Sequence, residues 1–253
     1  METLQTSLSD GIQTVTLDRG KANPINHQMV TELRALIRES NDAAAIRGNL
    51  LTGKPNFFSA GLDVVELYAY EPEQMVSFWQ DLAGLLADLA GSPKPWVAAI
   101  SGHSPAGGCV LALCCDQRVM AQGNYKIGLN EVPVGIVVPM PIYHLYASVL
   151  GPRLAYQYLL EGRLMLPDEA LACGLIDVVV EPWQVLDEAR LRLQSYLAFN
   201  DTVWRESKKL MRAPLVEQLN AVFETSFSAT VRHWWSKESR SQIAAMIQKL
   251  KKS

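Results

Sequence analysis

The amino-acid sequence predicts an α/β protein in which a mainly parallel sheet is followed by a C-terminal helical region. Short apolar runs alternate with longer amphipathic segments over the first two thirds of the chain, and this alternation is typical of βαβ units. From about residue 184 onward the pattern is helical throughout. Of the 253 residues, 49% are hydrophobic, which is enough to build a sizeable core.

The first elements follow from hydrophobic periodicity and from turn and cap residues. The alternating run GIQTVTLD predicts a strand with one solvated face, and GKANPIN predicts a turn. Asn26 is the expected N-cap of the helix that follows. The apolar face of that helix is formed by Val30, Leu33, Leu36 and Ile37. GNLLTG then predicts a short buried strand, and KPNFFSAG predicts a loop that ends at a glycine.

The middle of the chain predicts a second amphipathic helix and further strands. The helix spans residues 72–90 and begins at Pro72. The expected strands after it are PWVAAISG, QRVMA, YKIG and LIDVVV. In the segment PDEALACG, Pro167 and Gly174 stand at the start and the end, as the capping preferences of a short helix predict.

The C-terminal third predicts a succession of helices that is interrupted near Pro214 and ends in the basic segment QKLKKS. No linker of unusual composition separates these helices from the rest of the chain. We therefore expect an α/β core over residues 1–190 and a helical region over residues 191–253.

Composition excludes several classes of function. The formal net charge is −3 with both signs mixed along the chain, so nucleic acid is not an expected partner. No apolar run reaches the roughly 18 residues that a membrane helix needs. The segment METLQTSLSDG resembles neither a signal peptide nor a transit peptide. We expect a soluble cytoplasmic protein.

The cysteines lack metal-ligand spacing and are expected to be reduced residues of the core. They are Cys109, Cys114, Cys115 and Cys173.

The segment SGHSPAGGCVLALCCD resembles the turn that presents a nucleophilic serine in hydrolases. Such a turn uses the backbone N–H of the residue after the serine to stabilise an oxyanion. After Ser104 that residue is Pro105, which has no N–H. We therefore expect Ser104 to be a loop residue that hydrogen-bonds nearby backbone.

The glycines of the same segment predict a site that stabilises negative charge. Gly107 and Gly108 stand where the loop becomes a helix, and free N–H groups at a helix start favour negative charge. The loop FFSAGLD follows another short strand and would supply a second donor. Taken one at a time, the two loops are better interpreted as simple tight turns.

Five segments in order resemble the crotonase superfamily, which contains enoyl-CoA hydratases and isomerases. They are LDRGKANPINHQM, FFSAGLDVVEL, ISGHSPAGGCVLALCCDQRVMA, YKIGLNEVPVGIVVP and LEGRLMLPDEALACGLIDVVV. The resemblance implies a crotonase-like spiral of ββα units, with a C-terminal helical region that mediates trimerisation. It also implies an acyl-CoA thioester substrate and an assembly as a homotrimer or hexamer. Coenzyme A enters as part of the substrate, and neither a separate cofactor nor a metal is expected.

The resemblance also implies the roles of individual residues. The backbone N–H groups of Leu62 and Gly107 would hold the thioester oxygen, and Glu131 would move the proton. Substrate or CoA contacts are expected at Lys21, Ala22, Ala60, Gly61, Leu62, Asp63, Val64, Gly107 and Lys249. Asp63 is expected to support its loop. Candidates for the border of the acyl site are Trp79, Met140 and Tyr143, although core packing is the default interpretation of such residues.

The residue types favour an isomerase over a hydratase. Family hydratases carry two glutamates around a water, and Val110 stands where one of them would be. A single glutamate suffices to shift a double bond from a 3-enoyl-CoA to the 2-enoyl-CoA. The segments FSAGLD, PAGGC and GLNE resemble mitochondrial-type 3,2-enoyl-CoA isomerases. A hydratase with a nonstandard second acid, or a non-catalytic acyl-CoA-binding protein, remains the alternative.

Overall fold

A computed structural model describes residues 1–220 and 227–250 of the chain. The strands are β1 Leu4–Ser9, β2 Ile12–Leu17, β3 Gly48–Thr52, β4 Asn56–Phe57, β5 Trp96–Ile100, β6 Gly102–Pro105, β7 Gln117–Ala121, β8 Ile127–Gly128, β9 Leu164–Met165 and β10 Val178–Val180. The α-helices are α1 His27–Asp42, α2 Val64–Leu67, α3 Pro72–Ala90, α4 Gly107–Cys114, α5 Met140–Glu161, α6 Pro167–Ala172, α7 Val185–Leu197, α8 Asp201–Leu219, α9 Ser228–Trp234 and α10 Lys237–Leu250.

The strands form one large and one small sheet. The large sheet has the order β1-β2-β3-β5-β7-β10, and all its pairs except β1–β2 are parallel. The small sheet has the order β4-β6-β8-β9, in which β4, β6 and β8 are parallel and β9 is antiparallel. The prediction of a mainly parallel α/β protein is therefore confirmed.

Three successive turns of the chain repeat one pattern, and this repeat is the spiral of ββα units. Each turn places a strand in the large sheet (β3, β5 or β7), then a short strand in the small sheet (β4, β6 or β8), and then a helix that packs in the core (α3, α4 or α5). Because β4, β6 and β8 run in the same direction, the loops that follow them leave the small sheet at the same edge. Leu62 and Glu131 lie in those loops, and Gly107 lies where the loop after β6 becomes α4.

The large sheet is covered on both faces. One face packs into the main core with α1, α3 and α4, in which Met29, Phe78 and Leu111 are fully buried. The other face packs against α7 through Val185, Ala189 and Leu193.

The predicted boundary between residues 190 and 191 falls inside α7. Since Ala189 and Leu193 bury against the same sheet face, the whole of α7 packs with the α/β core. The helices that follow this core therefore begin with α8 at Asp201.

Most predicted elements agree with the structure, and three differences have physical causes. β1 was not predicted, because only Leu4 of its six residues is buried and the apolar pattern is lost. α5 was not predicted either; it kinks at Gly151, where φ is +74°, and Pro152 follows. The expected interruption near Pro214 is wrong, since α8 continues through that residue.

Burial also corrects one expectation about the C-terminal helices. The pair Trp234-Trp235 in the sequence predicts apolar area exposed on a C-terminal helix, but only Trp235 is exposed (36%), whereas Trp234 is buried in the main core. Residues 251–253, at the end of the basic segment, lie outside the described residues. No helix in the described ranges is both long and apolar enough to cross a membrane.

Candidate active site

A cavity of about 730 Å³ lies at the edge where the three loops leave the small sheet. Leu62, Gly107 and Glu131 all line it. The polar side chains of its wall are Arg19, Asp63, Glu66, Asn130 and Glu131. Much of the remaining wall is apolar and includes Trp79, Leu82, Leu86, Leu111, Ile142 and Met246. A cavity of this size and lining suits a small-molecule ligand with a long apolar part.

The loop after β4 leaves one backbone donor unused. Among Ala60 to Val64, four of the five N–H groups have an acceptor, and the Leu62 N–H has none among the described residues. The acceptors are the Ala22 carbonyl for Ala60 (2.8 Å), Ser59 Oγ for Gly61 (3.1 Å), the Ile25 carbonyl for Asp63 (2.8 Å) and the Leu62 carbonyl for Val64 (2.8 Å). The loop thus presents a single N–H to a ligand.

The loop after β6 presents a second donor. Gly107 is the first residue of α4, and no acceptor for its N–H occurs in the described part of the chain. The preceding Ala106 donates to the Gly128 carbonyl at 2.8 Å. A Cβ on Gly107 would lie 3.4 Å from the Leu62 nitrogen, so the two unused donors lie close together.

The two loops approach so closely that Gly61 cannot carry a side chain. A Cβ at this position would lie 2.7 Å from the Ala106 Cβ and 3.1 Å from the Gly107 nitrogen. Gly61 also has φ +91°, a conformation that glycine adopts without strain. Ala106 itself has φ +51° and ψ −124°, so backbone strain is concentrated beside the donor pair.

Glu131 is the buried carboxyl group of the cavity. It follows β8, and its backbone carbonyl accepts hydrogen bonds from Val134 and Ile136 at 3.1 and 2.9 Å. The residue is 8% exposed, and its Oε2 has no hydrogen-bond partner in the described part of the chain. Burial raises the pKa of Glu131 to about 7, because desolvation disfavours the charged form.

The other carboxylates of the cavity wall are already paired. Asp63 accepts from Arg19 at 2.6 Å and caps α2 by accepting from the Glu66 N–H at 3.0 Å. Glu66 accepts from Arg19 at 2.8 Å. The expectation that Asp63 supports its loop agrees with this geometry. Val110, on the first turns of α4, is buried and contributes an apolar surface to the cavity.

The predicted contact residues divide into two groups. Ala60, Leu62, Asp63, Val64, Gly107 and Trp79 line the cavity, and Gly61 lies buried behind it. Lys21, Ala22 and Lys249 do not line it, and Lys21 and Lys249 are exposed. Their contacts with CoA remain predictions. Met140 and Tyr143 do not line the cavity either; their neighbours Pro139 and Ile142 do.

Ser104 does not have the surroundings of a nucleophile. It is fully buried in β6 and does not line the cavity. Its N–H donates to the Lys126 carbonyl at 2.8 Å, and its Oγ has no hydrogen-bond partner among the described residues. The expectation of a loop residue whose side chain hydrogen-bonds nearby backbone is therefore wrong, because Ser104 lies in a strand with its hydroxyl group buried. The adjacent His103 accepts from the Lys126 N–H at 3.1 Å and packs between the rings of Phe57 and Tyr125.

Three polar residues of the site, Arg19, Glu66 and Asn130, were not predicted. Arg19 lies two positions before Lys21, which was chosen instead, and only its pairing with Asp63 and Glu66 reveals its place. Asn130 precedes Glu131 and lines the cavity beside it. Its adjacency to Glu131 was the signal that could have identified it.

Comparison with known proteins agrees with this geometry. The family described as enoyl-CoA hydratase/isomerase matches residues 7–252. The chain belongs to the enoyl-CoA hydratase/isomerase family. It is therefore an enzyme of the crotonase superfamily, and the predicted crotonase-like fold is confirmed.

Individual members of the enoyl-CoA hydratase/isomerase family resemble the chain over most of its length. Mouse "Enoyl-CoA delta isomerase 1, mitochondrial" is 38% identical over 211 residues, which are 83% of this chain and 73% of the relative. The crystal structure of human mitochondrial delta3-delta2-enoyl-CoA isomerase has a TM-score of 0.95 at 28% identity, covering 99% and 98% of the two chains. A probable enoyl-CoA hydratase of Rhizobium meliloti is 31% identical over 189 residues, or 74% and 72% of the two chains.

Proposed function

We propose that this enzyme moves the double bond of a 3-enoyl-CoA to the 2-position. The observation that carries the proposal is the state of the cavity carboxylates. Among the carboxylates of the described cavity wall, only Glu131 lacks a hydrogen-bond or ion-pair partner. Asp63 and Glu66 are both bound to Arg19. A second free carboxylate, which would hold and activate water for hydration, is missing from the position of Val110.

The proposed reaction needs one base and two backbone donors. The ionised Glu131 removes a proton from C2, and the electron pair of that bond delocalises through the C3–C4 double bond and the thioester. The N–H groups of Leu62 and Gly107 stabilise the negative charge on the thioester oxygen. The protonated Glu131 then returns the proton to C4, which leaves the double bond between C2 and C3. Each oxyanion donor is typically worth about 3 kcal/mol in the transition state.

The raised pKa of Glu131 supports its role as the proton carrier. A carboxyl group with a pKa of about 7 can both accept and return a proton near neutral pH. The surrounding apolar wall supports an acyl substrate, and coenzyme A would be present only as its thioester. The names of the mouse and human isomerases support the same reaction, whereas cytoplasmic location stays a prediction from the sequence.

An activity panel tests the proposal. The parent enzyme should convert a 3-enoyl-CoA to its 2-enoyl isomer and should hydrate a 2-enoyl-CoA slowly. Glu131→Gln keeps the shape and removes the base, so turnover should fall by about 10²–10⁴ while thioester binding persists. Glu161→Gln, an exposed carboxylate at the end of α5, is the control and should retain turnover. Rapid hydration without isomerisation would favour a hydratase, and full activity of Glu131→Gln would show that another group is the base.

A further inference from the structure

Arg19 forms a fork between α2 and the oxyanion loop, which is the loop after β4 that carries the Leu62 N–H. Its Nη1 donates to Asp63 Oδ2 at 2.6 Å and to the Pro24 carbonyl at 3.1 Å. Its Nη2 donates to Glu66 Oε2 at 2.8 Å. One planar guanidinium thus holds a carboxylate on each side of the first turn of α2, a geometry that lysine cannot reproduce.

The fork acts on the residue next to the proposed oxyanion donor. Leu62 immediately precedes Asp63, and the backbone of Asp63 donates to the Ile25 carbonyl at 2.8 Å. Gly61, on the other side of Leu62, accepts from the Ile25 N–H at 2.8 Å. The peptide group that carries the Leu62 N–H therefore lies between two backbone hydrogen bonds to Ile25. Arg19 additionally fixes the side chain of the next residue, Asp63.

A second set of contacts fixes the position of Arg19 relative to the loop. The Arg19 N–H donates to Asn23 Oδ1 at 3.0 Å, and Asn23 Nδ2 donates to the Phe58 carbonyl at 3.0 Å. The Asn23 carbonyl accepts from Ser59 Oγ at 2.8 Å. The turn that carries Arg19 is thus also hydrogen-bonded to the start of the oxyanion loop, directly after β4.

We propose that Arg19 is a positioning residue for the oxyanion hole, which sets the direction of the Leu62 N–H through Asp63 and Glu66. This inference rests on the proposed function, since it assigns that N–H to the thioester oxygen. Arg19 also neutralises Asp63 and Glu66, the two carboxylates of the described cavity wall besides Glu131. Without it, two negative charges would face the cavity in which the dienolate develops its own negative charge.

The experiment compares three variants of the full chain. Arg19→Ala removes both ion pairs. Arg19→Lys keeps the positive charge, but its single ammonium group replaces the two separate nitrogens of the guanidinium. Arg34→Ala is the matched control: Arg34 bridges Asp81 and Asp88 at 2.6 and 3.1 Å, its side chain is 23% exposed against 24% for Arg19, and it does not line the cavity. Loss of stability alone should therefore be similar in Arg19→Ala and Arg34→Ala.

Two readouts separate positioning from stability. The first is kcat and KM for a 3-enoyl-CoA: Arg19→Ala should lower kcat by about 10-fold to 100-fold with little change in KM, because a small misplacement of one donor weakens the transition state. The second is the infrared carbonyl stretch of bound butanoyl-CoA, which has no double bond to move. Hydrogen bonding lowers this frequency, and Arg19→Ala should lose most of the lowering, whereas Arg34→Ala should retain it.

The possible outcomes each decide the question. Values of kcat and of the carbonyl shift in Arg19→Lys that lie between those of the parent and Arg19→Ala would support the positioning role of the guanidinium. If Arg19→Ala fails to fold, Arg19→Lys is compared with the parent alone. Unchanged kcat and carbonyl shift in both Arg19 variants would overturn the inference. A raised KM at constant kcat would overturn it too, since Arg19 would then bind substrate directly. If the parent enzyme lowers the carbonyl frequency without isomerising 3-enoyl-CoA, the proposed function fails and the carbonyl readout still tests Arg19.

Discussion

The buried carboxyl group of Glu131 makes the stability of the folded protein depend on pH. Its pKa rises from 4.5 to about 7 on burial, so the folded state binds the proton more tightly than the unfolded state. The contribution of this group to stability is therefore greatest while it is protonated in both states, below about pH 4.5. It decreases as pH rises toward 7, because only the unfolded chain then ionises freely.

Glu131→Gln should remove this penalty. The substitution should raise the free energy of unfolding at pH 8 by an amount on the order of 3 kcal/mol relative to the parent. At pH 4.5 the two proteins should differ little, since the carboxyl group is then mostly neutral. Chemical denaturation at both pH values measures the difference, with Glu161→Gln as an exposed control. An equal effect at both pH values would contradict the assignment of the penalty to ionisation.

Ser104→Ala should leave turnover within a few-fold of the parent. The Ser104 hydroxyl is buried and lacks a partner in the described part of the chain, so its removal should also leave stability unchanged or raise it by about 1 kcal/mol. Thermal unfolding and the isomerase assay measure both effects. Labelling of Ser104 by a fluorophosphonate, accompanied by loss of activity, would contradict this interpretation.

Sequence patterns located the cavity residues Leu62, Gly107 and Glu131, but not Arg19. Leu62 and Gly107 follow recognisable glycine turns, and Glu131 lies in a segment that resembles the family. Arg19 pairs with Asp63 and Glu66 across 44 and 47 residues of sequence. Local spacing carries no information about such a pairing, which depends on how the loops meet in the fold.

At the level of secondary structure, the close approach of two loops determines the geometry of the donor pair. Both loops follow parallel strands of the small sheet, β4 and β6, and meet at Gly61 and Ala106. A glycine is needed at residue 61 for two separate reasons, the positive φ and the lack of space. A second glycine with a similar φ but open surroundings allows these two reasons to be separated.

Gly61→Ala should reduce turnover far more than Gly174→Ala. Both residues have positive φ, +91° and +82°, but nothing lies within 4 Å of a Cβ on Gly174. Each variant should lose about 1 kcal/mol of stability from backbone strain, and only Gly61→Ala should displace Ala106 and the Gly107 donor. We expect a loss of about 10²-fold or more in kcat for Gly61→Ala. Similar activity of the two variants in the isomerase assay would contradict this.

Tertiary packing overrides local propensity in two other elements. Pro214 removes a backbone donor from α8, yet the helix continues because Leu215 and Leu219 beyond it are buried. β1 exposes five of its six side chains and still forms, since every residue pairs with β2. Neither outcome is visible in a local window of sequence, whereas α1 and α3, with clear apolar faces and caps, were predicted with their correct start residues.

For the molecule as a whole, the burial of Trp234 changes the argument about assembly. Apart from Trp235, which is 36% exposed, large exposed apolar side chains of the described C-terminal helices lie on α8. Val203, Leu210 and Met211 are 64%, 73% and 75% exposed. Their spacing of seven and eight residues places them on one face of the helix. An apolar helix face of this kind indicates a protein contact, and the family resemblance implies that the partners are further copies of this chain.

We therefore expect a trimer, or a multiple of it, in which the Leu210 face of α8 is covered. Light scattering of the parent protein at micromolar concentration should give about three or six times the chain mass of 28.0 kDa. Leu210→Lys places a charge on this face and should shift the protein toward the monomer, because an unpaired buried charge is costly. Leu8→Lys alters a 53% exposed leucine on the edge strand β1 and should leave the mass unchanged. A monomeric parent protein would contradict the assembly, and an unchanged Leu210→Lys oligomer would place the interface on another surface.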